Sequence, residues 1–349
     1  MLKVYPLYAA HGDALIVEAK TEEGLFKIVV DGGPSETAVA ISERYLSLGH
    51  IDLLVLTHYD ADHITGLIHF FKQLDGEKRI VDKVWANCAS IVDYDDEVNV
   101  AAYEDAYVLS KQLEKLKQRG LIGEWNDNVI AGMPPVTIGP FCIDVLIPTK
   151  DIQMELLNHF RDYIEKEGLQ DDPDLDEQVS FGRVQRDAAL DFSELATKFR
   201  PTTTSFMNKT SIALRIQAEG KTILLLGDAE AKMITDSIAA LGATEENPMN
   251  VDLIKMSHHG SKANINKLLF ELTNCSKYLF TTNGGCGGAY HPDRQTIACI
   301  DAWARKKHDP IILYFNYPLN TIMERNVGLL SDNDKKKFTI VEGNAAITI

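Results

Sequence analysis

The chain has 349 residues, 45% of them hydrophobic, with 35 Lys plus Arg against 51 Asp plus Glu and a formal net charge of −16. That length supplies a sizeable core, and no apolar run approaches the roughly 20 residues a membrane span needs. The acid excess repels polyanions at long range, and no Lys/Arg run suggests a nucleic-acid track.

Taken in order, residues 2–8, 14–19 and 25–31 read as short strands, the first two joined at Ala10-His11-Gly12-Asp13. Residues 36–48 read as a helix. The apolar run Ile51–Thr57 then predicts a buried strand, followed at once by His58-Tyr59-Asp60-Ala61-Asp62-His63 and a helix from Ile64. Strand signals return at 80–86 and 141–147, with helical spacing across 98–119. Residues 150–205 break the pattern. They hold the acidic stretch 171–177 and read as a variable, partly helical insertion near a site entrance. A hairpin follows at 211–217 and 221–226, turning at Glu219-Gly220. Helices are expected at 229–241, 264–273 and 293–307, and strands at 251–256, 277–281, 311–315, 338–342 and 346–349. The alternation predicts a mixed α/β fold.

Three apolar runs end in ligand-type residues. The first ends in the 58–63 cluster, the second (224–226) in Gly227-Asp228, and the third (253–256) in Ser257-His258-His259-Gly260. Taken alone, the 58–63 cluster has a second, weaker reading as a polar loop whose His and Asp cap the helix and pair with each other. Its recurrence at two further strand ends points instead to a site for a divalent metal, or a pair of them. Because these clusters run from 58 to 259, residues 1–349 are read as one domain carrying the insertion. The five cysteines (88, 142, 275, 286 and 299) form no Cys-x-x-Cys pair, and the first ten residues carry no signal-peptide pattern. Both features lead to the expectation of a cytoplasmic protein with reduced thiols. Cys286, among glycines, is expected to be exposed.

His-x-Asp-x-Asp-His after a strand, then Gly-Asp, then His-His-Gly, with Val30-Asp31-Gly32-Gly33 upstream, resembles the metallo-β-lactamase-fold hydrolases. Within them the pattern is most similar to the hydrolase domain of ComEC-type DNA-uptake proteins and their stand-alone relatives. There, Asp takes the place of the middle His of the commoner motif, as Asp60 does here; Gly12-Asp13, Asn208–Ser211 and Tyr290-His291-Pro292 extend the match. The resemblance implies a four-layer αββα sandwich and two divalent ions, Zn²⁺ first and Mn²⁺ as the alternative. By motif match His58 and Asp60 would hold one ion, Asp62 and His63 the other, and Asp228 would bridge them. One of His258 and His259 would complete the set. Asp62 and His291 are expected to act in catalysis, Asn208 and Lys209 to contact substrate, and Asp31 and Asp13 to orient ligands. Asn208 falls where the family often has a further His, which leaves its role open between weak ligand and substrate contact.

The implied activity is metal-dependent hydrolysis, foremost of phosphodiester bonds and with DNA among the expected substrates, using water deprotonated by the metal. Two alternatives stand beside it: hydrolysis of a small ester, lactone or nucleotide, which the acidic surface favours, and a metal-bearing effector subunit of a multi-protein assembly, for instance in phage defence. In that last case the 150–205 insertion would dock a protein partner.

Overall fold

The computed structural model describes residues 1–76, 78–87, 101–165, 190–285, 290–305 and 307–349. Two large sheets lie face to face, each beginning antiparallel and continuing parallel. The first is built from β1 (Leu2–Pro6), β2 (Leu15–Lys20), β3 (Leu25–Val30), β4 (Ile51–Val55), β5 (Val81–Trp85) and β6 (Ile122–Asn126). β2 and β3 are antiparallel neighbours, whereas β3, β4, β5 and β6 run parallel. α1 (Ala38–Leu46), α2 (Ala61–Lys72) and α3 (Ala101–Gln118) provide the crossovers.

The second sheet starts antiparallel with β7 (Val136–Ile138), β8 (Phe141–Ile147), β9 (Ala213–Ala218) and β10 (Lys221–Leu225). Between β8 and β9 lie α4 (Lys150–Glu165), α5 (Phe192–Thr197) and α6 (Phe206–Lys209). After α7 (Ala231–Ala240), β11 (Met249–Asn250) pairs outside the main sheet with β13 (Thr273–Asn274). Between them come β12 (Leu253–Lys255) and α8 (Lys267–Leu272). The sheet then continues in parallel through β12, β14 (Lys277–Phe280), β15 (Ile312–Phe315) and β16 (Thr339–Glu342). α9 (Arg294–Trp303), α10 (Leu319–Arg325) and α11 (Asp332–Lys335) complete the helices, and β17 (Ile347–Thr348) returns to pair with β1.

The strand period of two divides the core into three slabs. Leu53 and Val55 of β4 face Leu214, Ile223 and Leu253 of the other sheet, while Leu54 points outwards to Ile64, Leu67 and Phe71 of α2. On the far side, Leu224 and Ile254 pack against Ile234 of α7, Leu269 of α8 and Ile297 of α9. Helix, sheet, sheet and helix thus form four layers. Among the described residues, no helix is long and apolar enough to cross a membrane.

Some local expectations shift. α2 begins at Ala61, three residues before the expected Ile64, so Asp62 and His63 lie in its first turn. Asp60 is its N-cap residue, yet its side chain makes no capping bond, against the polar-loop reading of the cluster. β6 was not anticipated. Gly123 interrupts its apolar pattern because a Cβ there would lie 2.2 Å from the Asp82 carbonyl oxygen. Of the expected insertion, α4 and α5 are described; the acidic stretch 171–177 and Cys286 lie outside the described residues.

Candidate metal centre

Five strands, β3, β4, β10, β12 and β14, end at one rim, and the chain carries polar groups shortly past each end. Asp31 and Thr281 follow β3 and β14 directly, whereas the Thr57-His58 pair, Asp228 and the Ser257–His259 turn come two to four residues past β4, β10 and β12. The two sheets are joined there by Ile212 N–H donating to Thr57 O at 2.9 Å and by Asn283 N–H donating to Ala10 O at 2.8 Å.

One carboxylate oxygen is the focus. Asp228 Oδ2 lies 3.5 Å from His63 Nε2, 3.7 Å from His258 Nε2, 3.8 Å from His259 Nε2 and 3.9 Å from His58 Nε2. Asp60 Oδ2 is 3.1 Å from His58 Nε2. Asp62 Oδ2 stands 3.4 Å from His259 Nε2 and 3.7 Å from His63 Nε2. Sequence reasoning left His258 and His259 as alternatives, and both converge. The reason is the backbone. Consecutive strand residues point to opposite faces, but His258 and His259 have φ of 47° and 53°, in the left-handed region that L side chains rarely adopt. The turn sends both rings to the same oxygen.

The opposite ring nitrogens are fixed by acceptors. His63 Nδ1 is 2.8 Å from Asp31 Oδ2, which also accepts from the Thr57 hydroxyl, while Asp31 Oδ1 accepts from Thr57 N–H. His259 Nδ1 donates to the Thr281 carbonyl at 2.8 Å, and His258 Nδ1 to Asn264 Oδ1 at 3.1 Å. The Asn264 amide cannot turn, because its nitrogen donates to the Asp228 and Ala229 carbonyls. With Nδ1 protonated, Nε2 keeps its lone pair and aims it at the centre, as metal-binding histidines require. His58 Nδ1 lies 3.1 Å from the Thr57 hydroxyl and 3.3 Å from that of Ser211, which accepts from Asp228 N–H.

Asp13, expected to orient a ligand, has Oδ1 3.4 Å from His259 Nδ1, while Oδ2 is ion-paired with Lys255. Asn208 is buried beside His258, with its amide nitrogen 3.3 Å from Nδ1 and 2.8 Å from Thr204 Oγ1. Lys209 follows at the end of α6, partly exposed. The His291 ring lies 4.9 Å from that of His258, with Nδ1 3.7 Å from Asp293. Lys255, Asn264 and Thr281 escaped the sequence reading. Only Lys255 carried a signal, as a charged residue inside an apolar run.

The electrostatics call for added positive charge. Burial opposes ionisation of Asp228, but His63, His258 and His259 hold it well below the usual carboxylate range. Against the same burial, Asp228, Asp62 and Asp31 raise His63 well above the ordinary histidine value, and Asp228 and Asp13 raise His259 to about 10. Burial pushes His258 down to about 4. Two imidazoles thus hold protons where a metal would otherwise neutralise the carboxylates. Among the described residues, twelve buried side-chain polar atoms lack a hydrogen-bond partner, and six belong to His11, His63, Asn208, Asp228, His259 and His291. Of these, the partnerless Nε2 atoms of His63 and His259 face the shared Asp228 carboxylate, a set that fits divalent ions.

No curated protein matches the sequence. Among solved structures, the chain is similar to the metallo-beta-lactamase fold protein YhfI from Bacillus subtilis, at 14% identity and a TM-score of 0.44, covering 100% of both chains. It is also similar to Zn²⁺-bound PqqB from Methylobacterium extorquens, at 9% identity, a TM-score of 0.41, and 97% of this chain on 87% of that one. A diphosphatase from the PhnP family gives 11% identity and a TM-score of 0.41, with 97% of this chain on 84% of that one. Residues 11–149, about two fifths of the chain, match the family model described as the metallo-beta-lactamase superfamily.

Proposed function

We propose that this protein is a two-metal hydrolase that cleaves phosphodiester bonds. The observation that carries the reading is the convergence of four imidazole Nε2 atoms, at 3.5–3.9 Å, on Asp228 Oδ2. His58, Asp60 and His258 would hold one ion, Asp62, His63 and His259 the other, with Asp228 between them. Bound divalent ions supply Lewis acidity to a scissile phosphate and lower the pKa of water, Zn²⁺ being favoured by the imidazoles and Mn²⁺ by the carboxylates.

The chain's own groups do the rest. Asp31, Thr281 and Asn264 would keep the protons of His63, His259 and His258 on Nδ1. Asn208, whose amide oxygen is buried without a partner, is available to an ion or to a substrate contact. His291, beside His258 and with Asp293 behind it, would give a proton to the departing oxygen.

A net charge of −16 favours a small diester, with DNA the second choice, since a polyanion finds little attraction beyond the metals themselves. The test is a panel of bis-p-nitrophenyl phosphate, single-stranded DNA and a lactone, each with titrated Zn²⁺ or Mn²⁺ and elemental analysis of the protein. Two ions per chain with diester turnover support the proposal. Lactone turnover alone moves the assignment to the small-substrate class, and absence of bound metal refutes it.

A further inference from the structure

Lys255 is fully buried on β12, a position where a lysine must be held by partners to stay charged. Its Nζ is ion-paired with Asp13 Oδ2, donates to the Gly227 carbonyl at 3.1 Å and lies 3.9 Å from Asp228 Oδ1. That second oxygen of Asp228 has no hydrogen-bond partner. The ion pair with Asp13 and the bond to the Gly227 carbonyl hold an ammonium beneath a centre where Asp13, Asp31, Asp60, Asp62 and Asp228 converge.

We propose that Lys255 is the fixed counter-charge of this centre, holding its carboxylates together when no metal is bound and weakening the grip on metal when one is. The inference rests on the metal-binding reading above. Its physics is direct. A buried cation close to the bridging carboxylate offsets part of that carboxylate's attraction for any further cation, and does so with little screening by solvent. The same charge relieves repulsion among the acids in the metal-free chain. Removing it must cost the metal-free form more than the loaded one, and by linkage must tighten metal binding.

Lys255→Met keeps the stem and removes the ammonium. In EDTA its unfolding midpoint should fall by more than it does with Zn²⁺ loaded, and titration with Zn²⁺ alone should give a dissociation constant at least about tenfold below wild type. Lys255→Met combined with Asp13→Asn removes both members of the pair without changing net charge. This double variant should bind Zn²⁺ within about threefold of wild type, and it keeps the question answerable if the single variant fails to fold. Equal losses of stability with and without metal, weaker Zn²⁺ binding by the single variant, or loss of both ions from the double variant would overturn the proposal. A wild-type chain that binds no Zn²⁺ would refute the functional reading and this inference together. Wild-type binding with unchanged affinity in the single variant would refute this inference alone.

Discussion

Gly66 sits in the sixth position of α2, and helix propensity says that alanine there should stabilise by about 1 kcal/mol. The packing says the opposite. A Cβ on Gly66 would lie 1.8 Å from the Gly32 carbonyl oxygen, and the gap would have to open by about 1.6 Å to reach the 3.4 Å of ordinary contact. The obstacle is backbone, not the end of a flexible side chain. It is also pinned by Gly66 N–H donating to Gly33 O at 2.9 Å and Gly32 N–H donating to His63 O at 2.8 Å. Losing those two bonds costs about 1 kcal/mol each, and overpacking costs about 1–3 kcal/mol more. After the propensity gain is deducted, Gly66→Ala should destabilise by about 3 kcal/mol. The displacement also carries Asp62 and His63 away from Asp228, and a misplacement of about 1 Å costs on the order of 10²-fold in rate. Urea unfolding, elemental analysis and diester turnover on one preparation read all three effects. A variant within about 0.5 kcal/mol of wild type, with both ions in place, would refute the argument that this close backbone contact sets the position of the α2 ligands.

Asp228→Ala should abolish hydrolysis more completely than His291→Ala, because a bridging carboxylate serves both ions, whereas a leaving-group acid contributes about 10²–10⁴-fold. Equal, small losses in the two variants would remove Asp228 from the bridge. In EDTA-treated protein, raised folded-state pKa values for His63 and His259 mean that their charged forms stabilise fully below the unfolded value of about 6.5. That contribution is lost as pH rises, for His259 through about 10, so urea midpoints of the metal-free chain should fall on the alkaline side; a rise would contradict the electrostatics. If DNA is bound, its affinity should collapse in EDTA and fall steeply with salt, and tight metal-independent binding would instead reveal a basic groove that the −16 chain does not advertise.

Most of the architecture was legible because buried strands are apolar runs and their ends are marked by abrupt polarity. The runs 51–57, 224–226 and 253–256 located the three ligand clusters that the fold brings to one rim. What stayed hidden depends on backbone conformation and on partners distant in sequence. The left-handed φ of His258 and His259 has no signature in residue type, since glycine and asparagine are the usual occupants, so two histidines competed on paper for one place. Lys255 was passed over because a lysine in a strand ordinarily points to water, and the facing Asp13, more than two hundred residues earlier, together with the Gly227 carbonyl makes its burial tolerable. Asn264 gave no signal either, as its importance lies in the two carbonyls that lock its amide. β6 was lost to the glycine that lets it approach β5.

The rim where the two sheets meet also has a history in time. His58 and His63 come from the first half of the chain, Asp228, His258 and His259 from the second, and Thr281 bonds Asp13 across 268 residues. No stretch leaving the ribosome carries a complete ligand set until both halves exist and have docked. Early, partial capture of an ion by the 58–63 cluster would offer only short-range ligands and an open shell. On the two-metal reading proposed above, metal uptake is a late event in folding, gated by the slow closure of long-range contacts, and a loaded centre would report that the second half of the sandwich has arrived in register with the first.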